Sequence, residues 1–464
     1  MESVLLVPFE GEGAGTFELT WGQLEIWTAM CKQDSSLPMG GAMALWEGAT
    51  LEQAATTLRY IMSRHQSLRT RLLFDPDSPD SPRQTLHSTG EVPLQIVDIE
   101  ADEDPQQVAD ELFERLAADK FDYADEWPIR MALVRKDGMA THAVAVYCHL
   151  AMDGQGLQAL IADLSGLDLT ATAAAPPSGA LQPFDLARAQ TEPDGVHQHE
   201  ATVKRWRRQL AKVPARRFGL TDDERNPRHW QARYESPAAY LASQVICART
   251  RADQTAVALA AITVELARIT GQNPSVVQTV VHNRFRPGMA DAVTPLAQTG
   301  LCVVDITDTT FDEIVARAWR SSIQAYMNSY YNPVLMDQMV AQLGRERGEE
   351  IDLACFFNDR RAQPTRTAED PLPDAGQITE ARNRSKLTWF PPTDVPAERF
   401  FITTEDLPDS LLLIMHTDTH CIPPGQIEQL LRGMEHMLVE AALDPEALTN
   451  IIPQPVQAPQ ASAA

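Results

Sequence analysis

The sequence predicts an α/β fold built as two halves with a linker between them. Patterns typical of helices and of strands alternate along most of the chain, which favours sheets covered by helices. The composition changes at residues 169–183, where Ala, Thr and Pro dominate, as is typical of a linker. The 464 residues are enough for two large domains. We therefore predict a first half at residues 1–168, a linker at 169–199, a second half at 200–450 and a disordered tail at 451–464.

The first half is predicted to alternate helices with strands. Thr50 and Gln53 form a capping box in front of apolar residues at helical spacing, so a helix is expected to run to about Arg64–His65. A strand, SLRTRLLF, and a turn, DPDSPDSP, come next. A helix at 104–118 and the strands PIRMALVR and THAVAVYC follow. The last predicted helix carries Leu157, Leu160, Ile161 and Leu164 at helical spacing.

The second half is predicted to begin with the amphipathic helix ATVKRWRRQLAKV. A long helix at about 252–270 follows and breaks at Gly271–Pro274. Strands are expected at SVVQTVV, LACFFN, RFFITTED and LLLIMHTD, and a final helix at about 425–442.

Acidic residues outnumber basic ones, and this charge excludes several function classes. The chain has 64 Asp and Glu against 39 Lys and Arg, a net charge of −25. Such a chain repels nucleic-acid phosphates and anionic lipids, so we expect neither nucleic acid nor membrane as a partner. No secretory signal or long apolar run is visible, and the six cysteines form no CxxC pair. We therefore expect a cytoplasmic protein with reduced thiols.

The strongest local candidate for chemistry is the segment Cys148–Gly154, CHLAMDG. The usual phosphate-binding, serine-hydrolase, metalloprotease and dinucleotide motifs do not occur in the sequence. A predicted strand delivers His149 into a loop, and histidine is the usual general base near neutral pH. Asp153 can fix this loop, and Gly154 lets the backbone turn. Because strand side chains alternate, Cys148 shares a face with valines and is predicted to be core, while His149 points to the other face.

Five motifs occur in order along the chain: LTWGQLEIW at 19–27, RHQSLRT at 64–70, HLAMDG at 149–154, QPFDL at 182–186 and VTPLAQTGL at 293–301. Together they resemble the motifs of the condensation domains of nonribosomal peptide synthetases, in the chloramphenicol-acetyltransferase-like superfamily. QPFDL is a weaker match, and VTPLAQTGL is similar to the family's crossing segment. The sequence departs from the family pattern at Cys148, where the family's HHxxxDG core has a first His, and at Gln298, where Asn is usual. The resemblance covers roughly residues 16–450.

The resemblance implies two chloramphenicol-acetyltransferase-like subdomains in a V-shaped pseudo-dimer with a central active-site tunnel. It implies that His149 orients or deprotonates the attacking amine or hydroxyl at the floor of the tunnel. Asp153 would be structural and would pair with Arg284, and Gly154 would offer its backbone N–H to the oxyanion. The positions expected to support these motifs are Cys148, Arg69, Gln23 and Gln298.

The implied function is condensation in natural-product biosynthesis, such as that of an antibiotic. An acyl or aminoacyl thioester on a carrier protein would be joined to a small-molecule amine or hydroxyl acceptor, giving an amide or an ester. The substrates would ride on the phosphopantetheine of partner carrier proteins, so we expect no cofactor of the chain's own and no metal. Because no adenylation or carrier-domain motif is visible, we expect a stand-alone monomer that receives carrier proteins in trans.

Two alternatives to this function stay open. The first is an acyltransferase of the same superfamily that uses acyl-coenzyme A and a free alcohol or amine. The second is a non-catalytic docking module that has kept the fold. Four residues favour catalysis, whereas Cys148 and Gln298 favour docking; the four are His149, Asp153, Gly154 and Arg284.

Three further features have a simpler structural interpretation. His416, Asp418 and His420 alternate along a predicted strand end, but no fourth metal ligand is evident. The basic run at residues 204–217 would suit an acidic carrier protein, but we expect a solvated helix face instead. The third feature is a group of aromatic residues that is expected in the core rather than along a substrate channel: Tyr326, Tyr330, Tyr331 and Trp389.

Overall fold

The chain divides into two compact units, each described below by itself. The computed structural model describes residues 2–167, 169, 178–361, 371–395 and 398–451. Met1–His199 and His282–Gln298 form the N-terminal unit, and Glu200–Val281 and Thr299–Ala464 form the C-terminal unit. Residues 282–298 thus pack within the N-terminal unit, although the predicted second half ran unbroken from 200 to 450. The predicted tail from residue 452 onward, and linker residues 170–177, lie outside the described residues.

The N-terminal unit contains two sheets among its described residues. One has five strands in the order β1-β6-β7-β8-β3, and the other has three in the order β2-β5-β4. Its strands are β1 (Glu2–Glu10), β2 (Gly15–Glu18), β3 (Met39–Ala44), β4 (Thr70–Asp75), β5 (Ser78–Leu86), β6 (Thr89–Ile99), β7 (Ile129–Lys136) and β8 (Met139–Tyr147). Its helices are α1 (Trp21–Gln33), α2 (Leu51–Arg64), α3 (Pro105–Ala118), α4 (Gly154–Leu164) and α5 (Pro183–Thr191).

The five-stranded sheet is covered by helices on both faces. On one face, α3 packs Ala109 and Leu112 into a cluster with Val144 of β8. On the other face, α2 and α4 contribute Leu58 and Leu160 to a second cluster. β8 is hydrogen-bonded to β7 on one edge and to β3 on the other, and these two neighbours determine its register and direction. The segment that follows β8 therefore starts from a rigid position.

The local signals for the first half hold, with two corrections in the small sheet. The capping box at Thr50 and Gln53 is present, and the helices predicted near 51–64 and 104–118 are confirmed. The predicted strand SLRTRLLF begins as a 3-10 turn over Gln66–Arg69. The predicted turn DPDSPDSP is only two residues long in the structure, residues 76 and 77, because β4 ends at Asp75 and β5 begins at Ser78. Its prolines are tolerated in β5 because the pairing register with β4 shifts between Leu73 and Asp75, which interrupts the ladder there.

The C-terminal unit contains a seven-stranded sheet in the order β11-β10-β12-β14-β15-β9-β13. Its strands are β9 (His229–Ser236), β10 (Ser275–Val281), β11 (Gln298–Val304), β12 (Cys355–Asp359), β13 (Lys386–Trp389), β14 (Phe400–Leu407) and β15 (Ser410–Asp418). The helices after α5 are α6 (Pro193–Leu210), α7 (Pro237–Thr250), α8 (Gln254–Thr270), α9 (Phe311–Met327), α10 (Pro333–Arg347), α11 (Ala375–Ala381) and α12 (Pro424–Leu443).

The core of the C-terminal unit surrounds α8. Every residue from Ala256 to Ala267 is buried, as expected for a helix that is apolar on all sides. The four strands predicted in this half and the helices at 252–270 and 425–442 are confirmed. Helices α7, α9, α10 and α11 were not predicted. Within the predicted linker, residues 183–191 and 193–199 are helical, because Pro183 and Pro193 open α5 and α6. Within the described residues, the structure has no helix of the length and apolarity needed to cross a membrane.

Candidate active site

The candidate site begins where β8 ends, at Tyr147. The backbone stays anchored beyond that point: the N–H of Cys148 donates to the carbonyl of Pro128 at 3.0 Å. The N–H of His149 donates to the carbonyl of Ser36 at 3.2 Å. The backbone of His149 is thus held by the sheet on one side and by the segment between α1 and β3 on the other.

Cys148 is a core residue, as its place on the valine face predicted. Its side chain is 1% exposed and lies in a cluster with Trp27, Met30 and Val146. Burial raises the pKa of its thiol to about 12, so the thiolate does not form near neutral pH. Cys148 is therefore not a nucleophile in this structure.

His149 is half-buried and, unlike Cys148, is not a member of that cluster. Its Nδ1 atom is buried and has no hydrogen-bond partner among the described residues. No hydrogen bond to the described residues therefore fixes the imidazole through Nδ1.

Asp153 is 4% exposed and caps the start of α4, where its Oδ1 accepts the N–H of Gly156 at 2.7 Å. Its Oδ2 accepts the N–H groups of Leu296 at 2.8 Å and Ala297 at 3.0 Å. Arg284 completes the shell, with Nη1 at 3.0 Å from Oδ2 and Nη2 at 2.9 Å from Oδ1. A carboxylate with this many donors has no acceptor capacity to spare. The geometry makes Asp153 a structural anchor.

Arg284 ties this carboxylate to the segment that returns to the N-terminal unit. It is 8% exposed, and its Nη2 also donates to the carbonyls of Ala292 at 3.0 Å and Thr294 at 3.1 Å. The ion pair that the resemblance implies between Arg284 and Asp153 is therefore present. It joins the HxxxDG segment to residues 282–298.

Two glycines at the start of α4 have different surroundings. Gly154 is exposed, and a Cβ built there would meet no atom within 4 Å. A Cβ on Gly156 would lie 3.0 Å from the Cβ of Met152, 3.1 Å from Nη2 of Arg284 and 3.3 Å from Oδ1 of Asp153. Gly156, which the sequence did not single out, is thus the more closely packed of the two glycines. Gly154 keeps open space above the first turn of α4, where backbone N–H groups have no intrahelical acceptor.

Gln23 supports the site from the first turn of α1. It forms a capping box with Thr20 and is 2% exposed. Its side-chain amide exchanges two hydrogen bonds with that of Gln84, at 2.9 and 2.7 Å. Its Nε2 also lies 3.5 Å from the carbonyl of Leu150, the residue after His149. Gln23 therefore contacts the backbone of the candidate site, as a supporting residue would.

Arg69 acts elsewhere in the N-terminal unit. Its guanidinium donates to the carbonyls of His87 at 2.7 Å, of Gly13 at 3.3 Å and of Glu12. Burial lowers its pKa to about 10, so it stays charged near neutral pH. Within the described residues, its hydrogen bonds go to these carbonyls, and the structure does not bring it to residues 148–154.

The start of the same motif, Arg64–His65, does reach α4. Arg64 donates to Asp163 through Nε at 2.8 Å and Nη2 at 2.7 Å, and Nε2 of His65 lies 3.0 Å from the same carboxylate. Burial raises the pKa of Asp163, but the hydrogen bonds from His65 and Arg64 outweigh it and hold that pKa well below its usual range. This clamp holds the end of α4 opposite to Asp153. The sequence analysis missed Asp163, because an acidic residue late in a helix carries no distinctive signal.

Gln298, the other departure from the family pattern, is 1% exposed and is the first residue of β11. It directly follows Ala297, whose N–H donates to Asp153.

The remaining sequence features have structural roles. Asp418 pairs with Arg228, with Nε at 2.8 Å from Oδ1, and Nε2 of His420 lies 3.1 Å from the carbonyl of Arg225. In the part of the chain that the structure describes, no group of three or more His, Cys, Asp or Glu side chains is arranged to hold a metal. Arg217 of the basic run is only 5% exposed, so it does not belong to a docking surface.

The aromatic group is divided between separate places. Tyr331 is buried against Trp206, and its hydroxyl lies 2.9 Å from Oγ1 of Thr299. Trp389 contacts Trp230 edge-on, with ring centroids 5.7 Å apart. Core packing, as predicted, accounts for Tyr331.

The comparison with protein families decides the classification. The sequence profile of the family described as "Condensation domain" matches residues 19–384, more than half of the chain. The chain belongs to the condensation-domain family. The fold class predicted from the motifs is thereby confirmed as that of condensation domains.

Similar proteins include synthetases far longer than this chain. The chain is 26% identical over 329 residues to the probable non-canonical nonribosomal peptide synthetase CymA of Salinispora arenicola. The alignment covers 66% of this chain but 4% of that protein. This chain therefore corresponds to a small part of such a relative.

Solved structures show the same fold at low sequence identity. One is the condensation domain that mediates chain release from the enacyloxin polyketide synthase, with a TM-score of 0.68 and 18% identity, over 96% of this chain and 86% of that one. Another is the X-domain in complex with OxyB from teicoplanin biosynthesis, also with a TM-score of 0.68 and 18% identity, over 96% of this chain and 98% of that one.

Proposed function

We propose that this condensation domain joins a carrier-bound acyl or aminoacyl thioester to an amine or hydroxyl acceptor, with His149 as the group that assists proton transfer. Family membership and the synthetase relatives support this class of reaction. The geometry supports the assignment of His149 within it.

The observation that carries the proposal is that His149 is the motif's one ionisable side chain left for chemistry. Cys148 is buried, and its thiol has a pKa of about 12. The carboxylate of Asp153 is filled by Arg284 and by backbone N–H groups. His149 is half-buried, with Nδ1 unpartnered among the described residues. Histidine is the usual general base near neutral pH, which favours His149 over the other two groups of the motif.

The proposed step is a nucleophilic acyl transfer. The imidazole of His149 accepts the proton of the attacking N–H or O–H as the new C–N or C–O bond forms. The C–S bond then breaks, and the proton passes to the departing thiolate of the carrier's pantetheine arm. Positioned proton transfer contributes about 10²–10⁴-fold to such a rate. The exposed first turn of α4, at Gly154, offers backbone N–H groups and the positive end of a helix to the developing oxyanion.

We further propose that carrier proteins deliver the substrates. Residues 1–464 show no adenylation or carrier motif, so the thioester has to be formed outside them. A thioester is already activated, so the step itself calls for neither ATP nor a metal.

A docking function is the second candidate, because the fold is equally similar to an X-domain that was solved in complex with OxyB. The replacement of the first motif histidine by the buried Cys148 also fits this candidate.

The test is an incubation with acyl-loaded carrier protein and a panel of amines and alcohols, in the presence of EDTA, followed by mass spectrometry of the products. We expect product with the wild type and a loss of at least about 100-fold with His149→Ala, while the melting temperature stays nearly unchanged. His197→Ala, at an exposed position of α6, is the matched control and should keep full activity.

Other outcomes would replace the proposal. Equal turnover of acyl-coenzyme A would indicate a plain acyltransferase. Tight binding of a carrier or of a partner enzyme, without turnover of any donor, would indicate the docking module.

A further inference from the structure

His149 is held at its backbone rather than through its ring. Nδ1 of its imidazole has no partner among the described residues, so this ring atom is not held by a neighbouring side chain. The backbone N–H, in contrast, donates to the carbonyl of Ser36. We propose that Ser36 is the positioning residue of His149, an assignment that rests on the proposed catalytic role of that histidine.

Ser36 itself is locked in place by its side chain. Its Oγ accepts the N–H of Phe121 at 2.9 Å and lies 3.0 Å from the hydroxyl of Tyr123. The residue is 3% exposed, so these bonds are shielded from water. Phe121 and Tyr123 lie between α3 and β7, a part of the unit that is remote in sequence from Ser36. The hydroxyl therefore fastens the segment before β3 to a second, independent element.

Leu37, the residue after Ser36, has a strained backbone conformation that its own residue type and the following proline do not favour. Leu37 has a φ of +45°, in the left-handed region, and it precedes Pro38. A non-glycine residue in this region costs on the order of 1–3 kcal/mol, and a residue before proline prefers extended backbone. Such a conformation persists only when its surroundings hold it. The bonds of Ser36 Oγ, together with the bond from Leu37 N–H to Ser35 Oγ at 3.0 Å, supply that restraint.

The same carbonyl of Ser36 serves both residues at the end of β8. It accepts the N–H of His149, and Sγ of Cys148 lies 3.9 Å from it. If the carbonyl moves, the backbone of His149 loses its acceptor at this point. A shift of about 1 Å in a catalytic group can reduce a rate by about 100-fold. Ser36 thus acts on the reaction through His149 and does not touch the substrate.

Three variants separate this role from simple stabilisation. Ser36→Ala removes both bonds of the hydroxyl. Tyr123→Phe removes one of them and keeps the edge-on contact of the ring with Trp27, at a centroid distance of 5.4 Å. Ser36→Thr retains the hydroxyl and should restore most of the function. Ser165→Ala, at the exposed C-terminal end of α4, removes a serine hydroxyl away from the site and is the matched control.

Two measurements are made on each variant. The first is kcat and KM in the carrier-protein assay, well below the melting temperature. The second does not depend on activity: the rate at which diethyl pyrocarbonate modifies His149, measured by peptide mass spectrometry with the exposed His197 as internal reference.

We expect Ser36→Ala to lower kcat by about 10-fold or more with KM unchanged, and to change the labelling rate of His149 by at least about threefold while that of His197 stays constant. Tyr123→Phe should give a smaller effect in the same direction, and Ser36→Thr and Ser165→Ala should resemble the wild type. An unchanged labelling rate in both Ser36→Ala and Tyr123→Phe would overturn the proposal, whatever the activity. A changed labelling rate in an enzyme whose His149→Ala variant is fully active would support the positioning contact and reject the proposed function alone.

Discussion

Replacing Asp153 by Ala should unfold the N-terminal unit at a much lower temperature. The substitution removes the acceptor for three backbone N–H groups and for both terminal nitrogens of Arg284. Arg284 would stay buried at 8% exposure, with the carbonyls of His282, Ala292 and Thr294 as its remaining side-chain partners. Its positive charge would then have no counter-charge within hydrogen-bond distance among the described residues.

The expected loss in the free energy of unfolding is about 5 kcal/mol. Breaking a buried ion pair costs about 3–5 kcal/mol, and the loss of a helix N-cap costs about 1 kcal/mol. For a unit of about 200 residues, 1 kcal/mol shifts the melting temperature by about 2–4 °C. We therefore expect a fall of roughly 10–20 °C in differential scanning calorimetry. The melting temperature of Asp153→Asn should fall by less, because the amide keeps one carbonyl acceptor at the N-cap.

A double-mutant cycle isolates the ion pair from the other bonds. Arg284→Met removes the charge and keeps an unbranched side chain, so Asp153→Ala should be much less harmful in that background. We expect a coupling energy of at least about 2 kcal/mol, measured by urea denaturation followed through tryptophan fluorescence. An Asp153→Ala protein that melts with the wild type, or a double variant whose loss equals the sum of the single losses, would refute this reasoning.

The remaining predictions concern the packing of two glycines and the pH dependence of stability. Gly156→Ala should destabilise the unit by about 1–3 kcal/mol, because its Cβ would press on Met152 and Arg284. A Gly156→Ala protein with unchanged thermal stability would contradict the packing argument. Gly154→Ala should melt at or above the wild-type temperature, because the open space at this position accommodates the methyl group without strain. It should turn over substrate more slowly, because the added methyl group narrows the space at the exposed first turn of α4. In the C-terminal unit, burial outweighs the ion pair with Arg268 and raises the pKa of Glu265 to about 7. Between about pH 4.5 and 7, the folded state therefore holds a proton that the unfolded state has released. The stability that this group contributes to the folded state is complete below about pH 4.5 and is lost as the pH rises through 7. In urea denaturation, the free energy of unfolding of Glu265→Gln minus that of the wild type should be larger at pH 8 than at pH 5 by on the order of 2–3 kcal/mol. A difference that does not change with pH would exclude the proposed titration of Glu265.

Prediction from sequence succeeded where the physical cause lies within a few residues. The capping box at Thr50 determines where α2 starts, because the bonds that make it span three positions. The alternation along the predicted strand placed Cys148 in the core with Val146, and the structure confirms this although β8 itself ends at Tyr147, because successive strand side chains point to opposite faces. The HxxxDG segment and its resemblance identified the family, since that information is also carried by short stretches of chain.

Tertiary structure decided most of the contacts that hold the site together. The resemblance implied the pair of Asp153 and Arg284, which are 131 residues apart, and a crossing segment at 293–301. The clamp of Arg64 on Asp163, which spans 99 residues, the contact of Ser36 with His149 and the close packing of Gly156 have no local signature. Periodicity and capping report only on the backbone nearby, whereas these contacts form when distant segments are packed against one core. For that reason the sequence by itself determined which residue types could do the chemistry and, through the resemblance, which ion pair to expect, whereas the tertiary structure decided which backbone groups surround Asp153 and where the backbone of His149 is anchored.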